Sequence, residues 1–94
     1  MGKLLDQIRR AVADNRYLIG EHAGERLDER GIPDWQVVEA LAEASLIVER
    51  PAAKPNAAVE VEQVLPDGTT VKAVWSWLPR SRAAKLVTVH YFDK

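Results

Sequence analysis

Residues 58–77, AVEVEQVLPDGTTVKAVWSW, decide the fold. Apolar residues alternate in the two runs that flank Pro66-Asp67-Gly68, and a two-residue period is that of a strand. Asp-Gly between such runs is a strong two-residue hairpin signal, because both residues tolerate positive φ. In the second run, alternation puts Val71, Ala73, Trp75 and Trp77 on one face and Lys72, Val74, Ser76 and Leu78 on the other. A tryptophan face of this kind reads first as core. Left exposed, it would be a base-stacking platform or a protein interface.

Outward from the hairpin, the pattern continues. LIVE at 46–49 is a short strand, and PAAKPN at 51–56 is a loop held open by two prolines. LPRSRAAK at 78–85 is a basic turn, and LVTVHYF at 86–92 is a closing strand with Val87, Val89 and Tyr91 on one face. Leu86, Thr88, His90 and Phe92 take the other, so both faces carry apolar groups and the strand is expected near the centre of the sheet.

Before residue 45 the period is helical. KLLDQIRRAVAD at 3–14 spaces Leu4, Leu5, Ile8 and Val12 along one side of an amphipathic helix. RYLIG is an extended segment or tight connection ended by Gly20. A second helix spans about 21–30, with Ala23 and Leu27 facing the core and Gly31 at its C-cap. Pro33 disfavours helical geometry at Ile32, and Asp34 is placed to cap a third helix over 35–44. This elbow is expected to bury Leu27, Ile32 and Trp35 together, with Trp35, Val38, Leu41 and Ala42 as the apolar stripe of the third helix and Val37 and Ala44 widening it. Helices followed by antiparallel strands make the class α+β.

The 94 residues fit one domain, residues 1–94, with a small core of its own. An apolar fraction of 47% argues against disorder, and the absence of cysteine excludes disulfides, thiolate catalysis and cysteine-zinc sites. No apolar run approaches the roughly 20 residues that cross a bilayer, and charges at Lys3, Asp6, Arg9, Arg10 and Asp14 do not suit a signal peptide. A cytoplasmic protein without membrane association is the expectation. A net charge of −1 argues against a general nucleic-acid binder. The distribution is uneven, however: residues 31–64 carry −4 and residues 65–94 carry +3, so the C-terminal third is able to form a local phosphate-contacting patch.

On the second helix, His22, Arg26 and Arg30 recur every four residues and fall on roughly one side. With Glu21, Glu25 and Glu29 interleaved, the plain reading is a solvated face laced by ion pairs. The chemical reading uses the same geometry. Two guanidiniums on one stripe can hold a phosphate by charge-assisted hydrogen bonds, and a histidine one turn away can exchange a proton near neutral pH. If His90 meets that stripe, the two imidazoles would suit metal-free RNA cleavage, with Arg80, Arg82 and Lys85 positioning the RNA backbone. Two histidines with neither cysteine nor an H-x-x-x-H spacing argue against zinc, and nothing calls for another cofactor.

EHAGERLDERGI, residues 21–32, resembles the bacterial family called domain of unknown function 4258. The pattern is His22-Ala23, Arg26 four residues on, and Glu29-Arg30-Gly31-Ile32. The closing strand LVTVHYF matches through Thr88 and Val89, and departs from the family form in having His90 ahead of Tyr91. The resemblance covers about residues 15–93. It implies kinship with RelE/ParE and barnase–colicin type small toxins, hence N-terminal helices on a curved antiparallel sheet of about four strands. Many members of that group are ribonucleases restrained by an antitoxin protein. By that resemblance Thr88 and Tyr91 join the substrate-binding set, and His22, Arg26, Arg30 and His90 are the catalytic candidates.

Three functions stand: a toxin-type, metal-independent endoribonuclease acting on cellular RNA; a non-enzymatic protein-binding module; and a nucleic-acid binder that does not cleave. The first expects His22→Ala or Arg26→Ala to lower RNA cleavage without changing thermal stability. Oligomeric state is not specified by any pattern here.

Overall fold

A computed structural model describes residues 2–92; Met1, Asp93 and Lys94, at the ends of the expected domain, lie outside the described residues. Among the described residues there are three α-helices, α1 (Lys3–Ala13), α2 (Glu21–Glu29) and α3 (Asp34–Ala40), the last continued by a 3-10 turn over Leu41–Glu43. Five strands complete the fold: β1 (Tyr17–Ile19), β2 (Ser45–Arg50), β3 (Ala58–Val64), β4 (Thr70–Leu78) and β5 (Ala83–Tyr91). They form one sheet in the order β1-β5-β4-β3-β2. The ladder from β2 to β5 is antiparallel, whereas β1 pairs with β5 in parallel, Tyr17 opposite Ala84 and Ile19 opposite Leu86.

The class α+β stands, but the expected curved antiparallel sheet of about four strands does not. The sheet is mixed, has five strands, and remains open, with β1 and β2 as free edges rather than curling toward closure. The short YLI run carries the difference. Three strand-forming residues between two helices pair in parallel with β5, the strand most distant in sequence.

That face is the core. Leu5, Ile8, Ala11 and Val12 of α1 pack with Ala23 and Leu27 of α2 and Val37 of α3 onto Val59, Val61, Val71, Ala73, Trp75, Leu86 and Val89. Trp75 is fully buried, so its face of β4 is core and not a stacking platform. Its indole Nε1 donates to Gln63 Oε1 at 3.0 Å, and Gln63 Nε2 donates to the Val37 carbonyl at 2.8 Å. This buried relay satisfies the indole N–H and also ties α3 to the sheet. On the other edge, Arg9 donates to the carbonyls of Leu41 (3.1 Å) and Ala44 (2.6 Å), and Glu49 Oε2 accepts from the Leu5 amide at 3.0 Å.

Three local readings change. Gly68 N donates to the Leu65 carbonyl at 2.8 Å, so Pro66-Asp67 is the centre of the hairpin turn and Gly68 (φ 91°) follows it. Proline's fixed φ suits the first central position of a type I turn and overrides the Asp-Gly preference. Trp35 is half exposed, and Asp34 makes no side-chain cap bond, because Pro33 is the N-cap and Asp34 is already helical. The helix thereby turns Val37 inward in place of Trp35, and Ala42 is left exposed. Finally, β5 contains a bulge: Val74 faces Thr88 but Trp75 faces Leu86, leaving Val87 as the extra residue. The bulge shifts the alternation by one, so Leu86 joins Val89 and Tyr91 on the helix side while Thr88 and His90 remain outside.

The expected C-cap is present. Gly31 (φ 65°) donates to the Asp28 carbonyl at 3.1 Å and Ile32 to the Leu27 carbonyl at 3.0 Å, the paired bonds of a Schellman motif. Ile32 packs against the core beside Leu27, as that motif requires.

Candidate functional site

The strand β5 outruns β1. Beyond Leu86 its outer edge has no strand partner, and α2 supplies the missing donors. Gly20 N, at the start of α2, donates to the Leu86 carbonyl at 2.8 Å, and Arg26 Nε donates to the Val89 carbonyl at 3.0 Å. A Cβ at Gly20 would lie 2.8 Å from that Leu86 oxygen, so this approach requires glycine. Tyr91 returns the contact: its hydroxyl donates to the Arg26 carbonyl at 3.0 Å. The Arg26 guanidinium carbon stands 5.6 Å from the Tyr91 ring centroid and that of Arg30 only 4.1 Å away. The four-residue spacing of the arginines therefore brings both onto the one tyrosine at the end of β5. Arg26 and Arg30 are engaged in bracing α2 against the strand.

His22 and His90 are both exposed. His90 lies on the outer face, directly across from Lys72 of β4. Its pKa is lowered from the ordinary histidine value, first by desolvation and then by the positive charges of Lys72, Arg26 and His22, with Glu60 opposing. The charged groups that act on His90 thus come from two elements, His22 and Arg26 of α2 and Lys72 and Glu60 of the sheet. Glu60 accepts from Arg50 at 2.9 Å and lies 3.6 Å from Lys72 Nζ; the Arg50 hydrogen bond is the main reason that its own pKa is lowered. Sequence reading missed Lys72 and Glu60. Their alternation marked them as outward-facing, but only the β4–β5 register, with its bulge, puts Lys72 beside His90.

The other expected residues divide. Thr88 shares the outer face with His90, and its buried Oγ1 has no hydrogen-bond partner among the described residues. Arg80 and Arg82 are exposed in the β4–β5 turn, roughly 25 Å from His90 by the rise of the strand. The Arg82 carbonyl accepts from Arg16 Nη1, which ties the turn to the connection between α1 and β1. Lys85 is between them, on the outer face opposite Ser76, and lines a cavity of about 320 Å³ together with Arg50, Lys54, Val74 and Val87. The basic turn and the histidines therefore do not form one cleft.

Among the described residues no group of three or more His, Cys, Asp or Glu side chains converges as a metal site. Nor is any helix among them long and apolar enough to cross a membrane. A separate groove of about 610 Å³ lies between α1 and α3, lined by Arg9, Arg10, Tyr17, Trp35, Val38 and Leu41 among others.

The model of a family described as a domain of unknown function, DUF4258, matches residues 19–91. No curated protein and no solved structure matches the chain.

Proposed function

This chain belongs to the DUF4258 family, and on that premise we propose that it is a metal-independent endoribonuclease of toxin type, distantly related to the RelE/ParE and barnase–colicin proteins, acting on cellular RNA in the cytoplasm and restrained by an antitoxin protein. One observation carries the reading: His90 stands directly across from Lys72 near the end of β5, and Arg26 holds α2, the helix that carries His22, against that same strand.

Environment separates their roles. His90, whose neutral form is favoured, accepts the 2′-hydroxyl proton, and the freed 2′-oxygen attacks the adjacent phosphorus. The P–O5′ bond breaks and His22 gives a proton to the departing 5′-oxygen, leaving a 2′,3′-cyclic phosphate and a 5′-hydroxyl. Lys72 and Arg26 stabilise charge on the pentacoordinate phosphorus. Arg30 and Tyr91 are positioning residues, holding α2 and with it His22 at the end of β5. Thr88 and Lys85 contact the RNA on the outer face, and Arg80 and Arg82 meet its backbone at a distance from the scissile bond.

Purified protein incubated with RNA in a chelator tests this. Cleavage persists, yields cyclic-phosphate ends, spares 2′-deoxy substrate, and falls at least 100-fold in His90→Ala and in His22→Ala. Intact RNA, or cleavage abolished by the chelator, refutes it; induced expression that neither slows growth nor degrades RNA does so in cells.

The groove beside Trp35 favours a second reading, a protein-binding module. Its surface would be the helical side rather than the tryptophan face of the sheet, which is buried.

A further inference from the structure

We propose that the 320 Å³ cavity on the outer face of the sheet is a nucleotide pocket. It takes one unit of a single-stranded RNA, its phosphate on Arg50, Lys54 and Lys85 and its base against Val74 and Val87. The cavity lies between the 51–56 loop and the middle of β4 and β5, and its size suits a small ligand. Three cations line it, and none of its described lining residues is acidic. Glu60 offsets the Arg50 charge, so the charge left to call for an anion in this concavity is mainly that of Lys54 and Lys85.

A bare anion would leave most of the wall unused, because the surface between the cations is largely aliphatic. The occupant therefore carries a flat apolar body as well as the charge, and Asn56 and Ser76 offer polar groups for its edge. Arg50 is preorganised, since its Nε is held by Glu60 at 2.9 Å. Val87 is the bulged residue of β5, so the strand is re-aimed here as strands are beside binding sites. The next residue, Thr88, sits across from the pocket-lining Val74 and carries the one buried side-chain hydroxyl without a partner among the described residues. His90 follows two positions later on the same face, about 7 Å along the strand. A nucleotide held here would thus place the neighbouring phosphodiester toward the histidines.

The choice of RNA as the source of the nucleotide rests on the nuclease reading, so binding is measured apart from cleavage. Adenosine 3′-monophosphate, which has no scissile bond, is titrated into the full-length protein while backbone amide resonances are followed, with adenosine and inorganic phosphate as separate probes. The expected result is shifts at 50–58, 74–76 and 85–88, and affinity at least tenfold above that for either separate probe. Lys54→Ala, a change of an exposed loop side chain, weakens binding about tenfold, and Lys54→Arg restores it. Equal affinity for inorganic phosphate, shifts elsewhere, or an unchanged constant in Lys54→Ala overturns the inference. A nucleotide bound here by a protein that cleaves no RNA leaves the pocket standing and removes the nuclease reading; cleavage without binding here does the reverse.

Discussion

Replacing Arg26 by alanine removes a guanidinium donor from the unpaired edge of β5 and a cation from the face of Tyr91. A charge-assisted hydrogen bond contributes about 1.5–3 kcal/mol, and a cation over a ring at this separation about 0.5–1 kcal/mol. Alanine recovers a few tenths of a kcal/mol in helix propensity. The net loss is about 2–3 kcal/mol, and for a chain of this length that lowers the melting temperature by roughly 10–20 °C. Urea titrations followed by far-ultraviolet circular dichroism measure it directly, with an unchanged denaturant slope confirming that both end states are the same. Arg30→Ala is the control: its guanidinium stacks on the same tyrosine from an exposed position and costs about 1 kcal/mol or less. An Arg26→Ala protein within 0.5 kcal/mol of wild type would refute the bracing role. It would also restore the expectation, drawn from the sequence, that this change leaves stability untouched.

Gln63→Leu strips partners from both the Trp75 indole and the Val37 carbonyl while keeping the volume, and is expected to cost about 2–4 kcal/mol in the same titration. Gly31→Ala meets open space but must hold φ at 65°, so its penalty is conformational, about 1 kcal/mol. Gly20→Ala, in contrast, drives a methyl group onto the Leu86 carbonyl and separates α2 from β5; its cost exceeds that of Gly31→Ala. For His90 the folded-state pKa lies below the unfolded value of about 6.5, so the unfolded chain binds more protons in that window. Stability contributed by His90 is present above that pH and is lost as pH falls from about 6.5 toward the folded value. Desolvation is the main cause of this shift, Lys72, Arg26 and His22 add to it and Glu60 opposes it, so Lys72→Ala should raise the His90 midpoint in an NMR titration and Glu60→Gln should lower it.

The helix–elbow–hairpin plan was legible because each part is a local matter. Gly31 ends a helix through its own φ, Pro33 excludes a helical Ile32, and the alternation of Val71, Ala73 and Trp75 faces inward as read. The departures are those that depend on distant partners. Three residues cannot show whether they will pair with a strand at the other end of the chain, which is why the YLI run was read as extended but the parallel pairing that makes the sheet mixed escaped notice. A bulge has no composition of its own, so the shift at Val87 was invisible and the faces of Leu86 and Val87 were exchanged. In the site, the stripe His22, Arg26, Arg30 was read from its spacing, but spacing does not say what a side chain touches. Arg26 proved to hold a carbonyl, and Lys72 entered the site only through a cross-strand register.

The placement of β5 has a further consequence for how the chain acquires its structure. α1, β1 and α2 are all made before the strand they pack on, and the hairpin of β3 and β4 is complete before it as well. Contacts between Tyr17–Ile19 and Ala84–Leu86 close nearly the whole length of the described chain, the kind of non-local pairing that slows folding because loop entropy is lost before the contact is gained. Until β5 arrives, β1 and one edge of β4 have no strand partner, and α2 lacks the strand it packs on. The sheet is therefore joined to its first strand only at the last step of synthesis, and its assembly waits on a single strand.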